Sequence, residues 1–507
     1  MRCSTLADAP GYAAIDLGAE SGRVVLGRLH PDGGVALDVV HRFANRPVCL
    51  PDGLRWNLLA LFTEALEGLR AAASRAELRG VGVDAWGVDY ALLDAERRVL
   101  GLPFHYRDAR TDGMITRAHE RVSREDLYAV TGIQTMPINT IFQLLADEGS
   151  AALAAAEHIA LVPDLFALWL TGELCNEATA ASTTGLLDAR SGQWARELIA
   201  RLGLPAAPFA AATTEPGTTI GPVLEHHRDL AGGAAGAPVH AIGGHDTASA
   251  FAAVPLRSER AAVLSSGTWS LLGLELAEPV LGERARTYNL TNERGVEGTT
   301  RLLRNVMGLW LVQECRREWE ADGGPSAYGD IYRLAAEARE GVALFDPDAD
   351  GFLAPGGMPA RIGAACRASG QEPPSSPGET VRAVLTSLAC KYRLVLERLE
   401  RVTGGGVDVV HVIGGGAQAE LLCQLTADLL GRPVLAGPVE ATALGNVLMQ
   451  ARAAGELASL DDVRAAAAAS TEPTAYDPSP ARDAADATYE RFLSVTGLHA
   501  ESAPVEA

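Results

Sequence analysis

Residues 12–29, YAAIDLGAESGRVVLGRL, find a counterpart about half a chain later in residues 261–276, AAVLSSGTWSLLGLEL. In each, a strand of small apolar residues runs into a polar turn built from Gly, Ser, Ala or Thr and leaves through a Val- and Leu-rich strand, the pattern of a β-hairpin. Repetition of the unit points to two domains of like topology. A further strand-like pair, RGVGVDAWGVDYALLD from Arg79, follows an Ala- and Leu-rich helical stretch, so α and β elements alternate.

Working outward, the Gly- and Ala-rich stretch Leu230 to Val239 reads as a loop, with a domain boundary near Ala250 to Ser258. QEPPSSPGET (371–380) reads as a second loop, Val381 to Leu399 has helical apolar spacing, and VDVVHVIGGG (407–416) reads as a buried strand entering a glycine turn and then a helix. Beyond about Ser470 the chain carries Pro, Asp and Ala with one amphipathic patch, Tyr489 to Val495, and reads as peripheral. The expected units are residues 11–254, 258–457 and a peripheral segment, 458–507.

A chain of 507 residues with 48% hydrophobic content buries more than one core. Its 64 acidic and 43 basic residues give a formal charge of -21, a field that repels nucleic acid and anionic membrane and excludes both as expected partners. The same field opposes an anionic nucleotide, which therefore needs Mg2+, backbone N–H groups and local positive charge. Seven cysteines, at 3, 49, 175, 315, 366, 390 and 423, form no Cys-x-x-Cys pair and no disulfide framework. MRCSTLADAP has no apolar core, and the most apolar segment, HIALVPDLFALWLTG, is interrupted by Pro163 and Asp164. A cytoplasmic protein without a membrane span is expected.

The turn DLGAESGR (16–23) has the means to hold phosphate: Gly18 and Gly22 let successive N–H groups point at one anion, Ser21 adds a hydroxyl, and Arg23 a permanent charge. Asp16, at a strand end, suits a hydrated Mg2+. A plain hairpin with a capping serine accounts for this turn alone; the repeat, with Ser265, Ser266, Gly267 and Thr268, suggests two turns clamping one nucleotide. Trp269 reads as packing. The third glycine turn, Gly414-Gly415-Gly416-Ala417, also fits a dinucleotide fingerprint with Glu440 as the ribose acid, so an NAD-dependent oxidoreductase stands as an alternative. Between the halves, GGHDTAS (243–249) presents His245, Asp246 and Thr247 at a helix start, where Asp246 or Thr247 serves as a cap or, at the hinge between two phosphate-binding halves, the Asp246 carboxylate serves as a base at an acceptor hydroxyl.

In order along the chain, DLGAESGR, GVDAWGVDY, PFHYRDART, TGIQTMPINTIFQL, GGHDTAS, SSGTWSLLG, RNVMGLW and IGGGAQ resemble the FGGY family of carbohydrate kinases, from about Gly11 to about Leu457. The resemblance implies an α/β protein of two ribonuclease-H-like domains in the actin-like ATPase arrangement, with ATP and a small ketose in the cleft between them. It implies ATP contacts at Ala19, Glu20, Ser21, Gly22, Arg23, Thr268, Gln313 and Gly415, and sugar contacts at Gly87, His245, Asp246, Thr247 and Asn305. Asp246 would accept the proton of a primary hydroxyl. Glu20 departs from the small polar residue usual in similar kinases, so only its backbone is expected at phosphate, with the side chain toward solvent or Arg23. A sugar- and ATP-responsive binding protein that retains the fold is the non-catalytic alternative.

Overall fold

The computed structural model describes residues 9–256, 258 and 260–499. Its first sheet contains β1 (Gly11–Leu17), β2 (Ser21–Leu29), β3 (Val35–Ala44), β4 (Leu78–Ala85), β5 (Thr219–Pro222) and β6 (Pro238–His240), in the spatial order β3-β2-β1-β4-β6-β5. The second contains β7 (Ala261–Ser266), β8 (Trp269–Leu276), β9 (Thr291–Arg294), β10 (Thr300–Met307), β11 (Val409–Ile413), β12 (Val434–Ala436) and β13 (Thr474–Tyr476), in the order β9-β10-β8-β7-β11-β12-β13. Two short ribbons, Val48–Leu50 with Gly53–Arg55 and Tyr90–Leu93 with His158–Leu161, lie outside both sheets.

The duplication extends well past the two hairpins. In the first sheet β1, β2 and β3 are antiparallel neighbours, while β4 and β6 follow in parallel on the other side of β1. In the second, β7, β8 and β10 repeat the antiparallel meander and β11 and β12 the parallel pair. Each half ends on an antiparallel edge strand, β5 or β13. Strands β1, β4, β7 and β11 are almost wholly buried, as central strands covered on both faces must be, and their near-continuous runs of Ala, Val and Ile reflect that.

Helix Leu58–Ala73 packs against β2 and β3, and helix Pro377–Thr403 packs against β8 and β10. The latter begins inside QEPPSSPGET, at Pro377 rather than at Val381: Ser376 Oγ accepts from Glu379 N, Glu379 Oε2 accepts from Ser375 N, and Pro377 occupies the first turn. Gly404, in the left-handed region at φ 73°, stops it. Helix Ala441–Ala453 belongs to the second half of the chain yet lies on β1 and β4 of the first sheet, where Gln450 Nε2 donates to Ala13 O at 3.1 Å. It also packs on helix Asp246–Ala252 so closely that a Cβ at Gly445 would stand 1.8 Å from Ser249 O. The segment read as peripheral supplies β13 and helix Arg482–Thr496, whose Tyr489 and Phe492 are buried. No helix among the described residues is long and apolar enough to cross a membrane.

Candidate active site

A cavity of about 550 Å³ opens between the two sheets. All three glycine turns reach it: Gly18 and Ala19 from the first, Ser265 to Trp269 from the second, Gly414 and Gly415 from the third. The first turn is tight because Gly18 N donates to Ser21 O at 3.0 Å, and Asn45 straps it by donating from Nδ2 to Gly18 O at 2.9 Å. The second and third turns touch, since β7 and β11 are parallel neighbours; a Cβ at Gly416 would sit 2.0 Å from Ser266 Oγ.

Of the residues expected at the site, Asp16, Ala19, Arg23, Gly87, His245, Asp246, Thr247, Thr268, Asn305 and Gly415 line this cavity together. Glu20, Ser21, Gly22 and Gln313 do not. Ser21 is exposed at the start of β2 and Gly22 is buried beside it. Gln313, on helix Trp310–Ala321, has its Oε1 buried without a hydrogen-bond partner. The Glu20 side chain turns neither to solvent nor to Arg23; it pairs with Arg317, which also holds Glu314. Burial raises the Glu20 carboxyl above its ordinary range, and Arg317 opposes that rise. Trp269 does more than pack, for it lines the cavity with its Nε1 3.5 Å from Tyr106 Oη.

Asp246 begins helix Asp246–Ala252, with His245 as the residue before it and no side-chain cap at that end. Its carboxylate, freed from capping, keeps 32% of the side-chain surface open and accepts from Thr247 Oγ1 at 3.1 Å. Burial raises its pKa above the ordinary aspartate value; His245 counters that and Asp16 adds to it. A raised pKa makes the ionised form a stronger base. His245 Nδ1 sits 3.2 Å from Arg301 Nη2 and 3.2 Å from Glu293 Oε2. The other ring nitrogen, Nε2, lies 3.4 Å from Asp246 Oδ1. Burial works to raise Glu293, but the hydrogen bond from His245 and the Arg301 charge take it below its ordinary range, so it is ionised.

Three further groups complete the site. Asp84 stands directly opposite Asp16 on the parallel strand β4, fully buried, with Oδ2 accepting from Asn446 Nδ2 at 2.5 Å and Oδ1 without a hydrogen-bond partner. Burial, then Asp16, push its pKa far up. Two neighbouring strand-end carboxylates, one with a buried unpartnered oxygen, are a donor set that fits a hard, hydrated Mg2+. Glu177 Oε2 accepts from Gly244 N at 3.0 Å and from Thr179 Oγ1 at 2.6 Å, while His245 N donates to Thr179 Oγ1 at 3.2 Å. Gln134 holds Asn305 through its Oε1, which accepts from Asn305 N at 2.8 Å, and its Nε2, which donates to Asn305 O at 3.1 Å. The sequence signal for Asp84 was a lone acid in an otherwise apolar buried strand, and Gln134 lay in a quoted block; Glu177 carried no signal.

A duplicated sheet closing on a cavity with glycine turns at one end and a free carboxylate at a helix start defines an actin-like ATPase fold built for phosphoryl transfer. Residues 12–252 match the FGGY family of carbohydrate kinases, N-terminal domain, and residues 262–454 match its C-terminal domain. Over 486 residues the chain is 40% identical to a rhamnulokinase of Bacteroides thetaiotaomicron, covering 95% of this chain and 98% of that one. Among solved structures it resembles gluconate kinase from Lactobacillus acidophilus, with a TM-score of 0.78 at 15% identity over 97% and 99% of the two chains. Xylulose kinase from Rhodospirillum rubrum is similar in fold at a TM-score of 0.74 and 21% identity, over 96% and 98%. The chain belongs to the FGGY family of carbohydrate kinases, phosphotransferases with an alcohol group as acceptor.

Proposed function

We propose that this kinase transfers the γ-phosphoryl group of ATP to O1 of L-rhamnulose, giving L-rhamnulose 1-phosphate and ADP, in the cytoplasm and in L-rhamnose catabolism. The ketose is suggested by the rhamnulokinase relative, which matches nearly end to end. The observation that carries the chemistry is the uncapped Asp246 carboxylate opening into a cavity shared with all three glycine turns. On this reading residues 11–254 are the sugar-binding domain and 258–457 the nucleotide-binding domain, each lending residues to the shared cavity, with helix Ala441–Ala453 reaching from the second onto the first sheet.

Gly87, His245, Thr247 and Asn305 orient the ketose so that its O1 hydroxyl faces Asp246. O1 attacks the γ-phosphorus, the bond to the β,γ-bridging oxygen breaks, and the hydroxyl proton passes to Asp246 as ADP leaves. Phosphoryl transfer runs through a loose transition state, so positioning and charge neutralisation account for most of the rate. Ala19, Arg23, Thr268 and Gly415, which line the cavity, hold the nucleotide, while Glu20, Ser21 and Gly22 of the first turn and Gln313 of helix Trp310–Ala321 lie outside the cavity wall. Asp16, beside Asp84, would hold Mg2+, which when bound neutralises phosphate charge. Asp246→Asn is expected to lose at least about 10²-fold in kcat while still binding ATP, the lower end of general-base assistance; near-normal turnover would contradict the assignment.

A further inference from the structure

Strand register sets Asp84, Asp16, Arg23 and Arg42 in one row across β4, β1, β2 and β3, each residue directly opposite the next. Directly opposed residues leave the same face of a sheet, so the row runs along the cavity side, acids at the buried end and guanidiniums at the rim. His41, one residue before Arg42, faces the other way and pairs with Glu64 of helix Leu58–Ala73. Asp16, Arg23 and Arg42 all line the cavity, and Glu440, from the loop preceding helix Ala441–Ala453, lines it beside the two arginines.

The two arginines are held very differently. Arg23 is bound to Asp16 at 2.6 Å and to Glu440 at 2.5 Å, so both of its charge contacts are with carboxylates. Arg42 reaches only Glu440, at 3.9 Å, among the described residues, and 54% of its side chain is exposed. The cavity wall carries four carboxylates, Asp16, Asp246, Glu293 and Glu440, against these two guanidiniums. A nucleotide polyphosphate entering so acidic a cavity, in a chain of charge -21, needs a cation that is not already neutralised.

We propose that Arg42 is a phosphate-binding residue of this cavity, resting against Glu440 in the free protein and moving onto the polyphosphate of a bound nucleoside di- or triphosphate. A guanidinium with an exposed, loosely held fork is suited to bidentate phosphate contact. Glu440 is then a resting partner that the nucleotide displaces, and the two residues act on affinity with opposite sign. The inference rests on the ATP-dependent reading, but binding of ADP tests it without any sugar.

Titration calorimetry on the whole chain, with ADP and with adenosine, separates the possibilities. Arg42→Gln is expected to weaken ADP by about tenfold or more, as loss of a charge-assisted contact does, and to leave adenosine unchanged. Glu440→Gln is expected to tighten ADP, and Arg42→Lys to retain part of the affinity. ADP binding to Arg42→Gln within twofold of wild type would overturn the inference while the kinase reading stands, and so would an equal loss for ADP and adenosine, which marks a structural effect. Weaker ADP binding by Glu440→Gln would overturn its resting role. A wild-type chain that binds no ADP would sink both readings.

Discussion

Glu177 lies outside the cavity wall, yet the loop that carries Asp246 hangs from it through Gly244 N and, by way of Thr179, through His245 N. Burial lifts its pKa from 4.5 to about 7 despite four hydrogen bonds to its carboxylate. The folded chain therefore keeps a proton that the unfolded chain releases near pH 4.5, and the stability due to this group is complete below that pH and lost as pH rises through about 7. Compared with Glu177→Gln, wild type should lose thermal stability between pH 5 and pH 8, by about 3 kcal/mol at most; an offset between the two melting temperatures that does not change with pH would contradict this. Residues of this kind are hard to read in a sequence. Glu177 sits in LCNEATAAS with no motif around it, and its partners come from residues 179, 180 and 244. Asp246 was visible, but choosing between cap and base needed the helix end itself, where no side chain caps.

Elements repeat the lesson at a larger spacing. Each hairpin is contiguous in sequence, so strand, turn and strand could be read directly, and so could the body of the long helix, although its first turn, residues 377–380, reads as loop because Pro377, Gly378 and the serines before them carry a turn signal that capping turns into a helix start. Contacts between elements could not. The third glycine turn follows a strand and precedes a helix, as in a dinucleotide fold, but its strand β11 lies beside β7 of an antiparallel meander, and Glu440 pairs with Arg23. Likewise 79–94 reads as one strand pair, whereas β4 joins the main sheet and Tyr90–Leu93 pairs with His158–Leu161. Helix Ala441–Ala453 bears on the helix of Asp246 at Gly445. Gly445→Ala would push a methyl into Ser249 O, a backbone atom that moves only with its helix. Overpacking of this sort costs about 1–3 kcal/mol. The variant should melt lower and turn over more slowly, and a normal melting temperature with normal kcat would contradict the close packing.

Across the whole molecule, the two sheets meet at points that the sequence separates by hundreds of residues. Arg317 reaches Glu20, Arg107 stacks on Trp310 at 3.9 Å and donates to Leu353 O at 2.6 Å, and Gln450 ties to Ala13. The duplicated halves and the Gly243-Gly244 loop between them suit closure over bound substrates, which would expel water that competes as acceptor. Sugar together with a non-hydrolysable ATP analogue should reduce the radius of gyration in solution scattering; identical profiles with and without ligands would contradict closure. Internal repetition made the two-part architecture legible, and the ordered motifs made the family legible, while the pairing of Asp84 with Asp16 and of Glu20 with Arg317 depends on three-dimensional register. The most direct test of the account is phosphorus and proton NMR of the product formed from ATP and L-rhamnulose. It predicts stoichiometric ADP with a phosphate ester coupled to the C1 protons. An ester elsewhere on the sugar, or ADP release that L-fuculose or L-xylulose supports and L-rhamnulose does not, would contradict it.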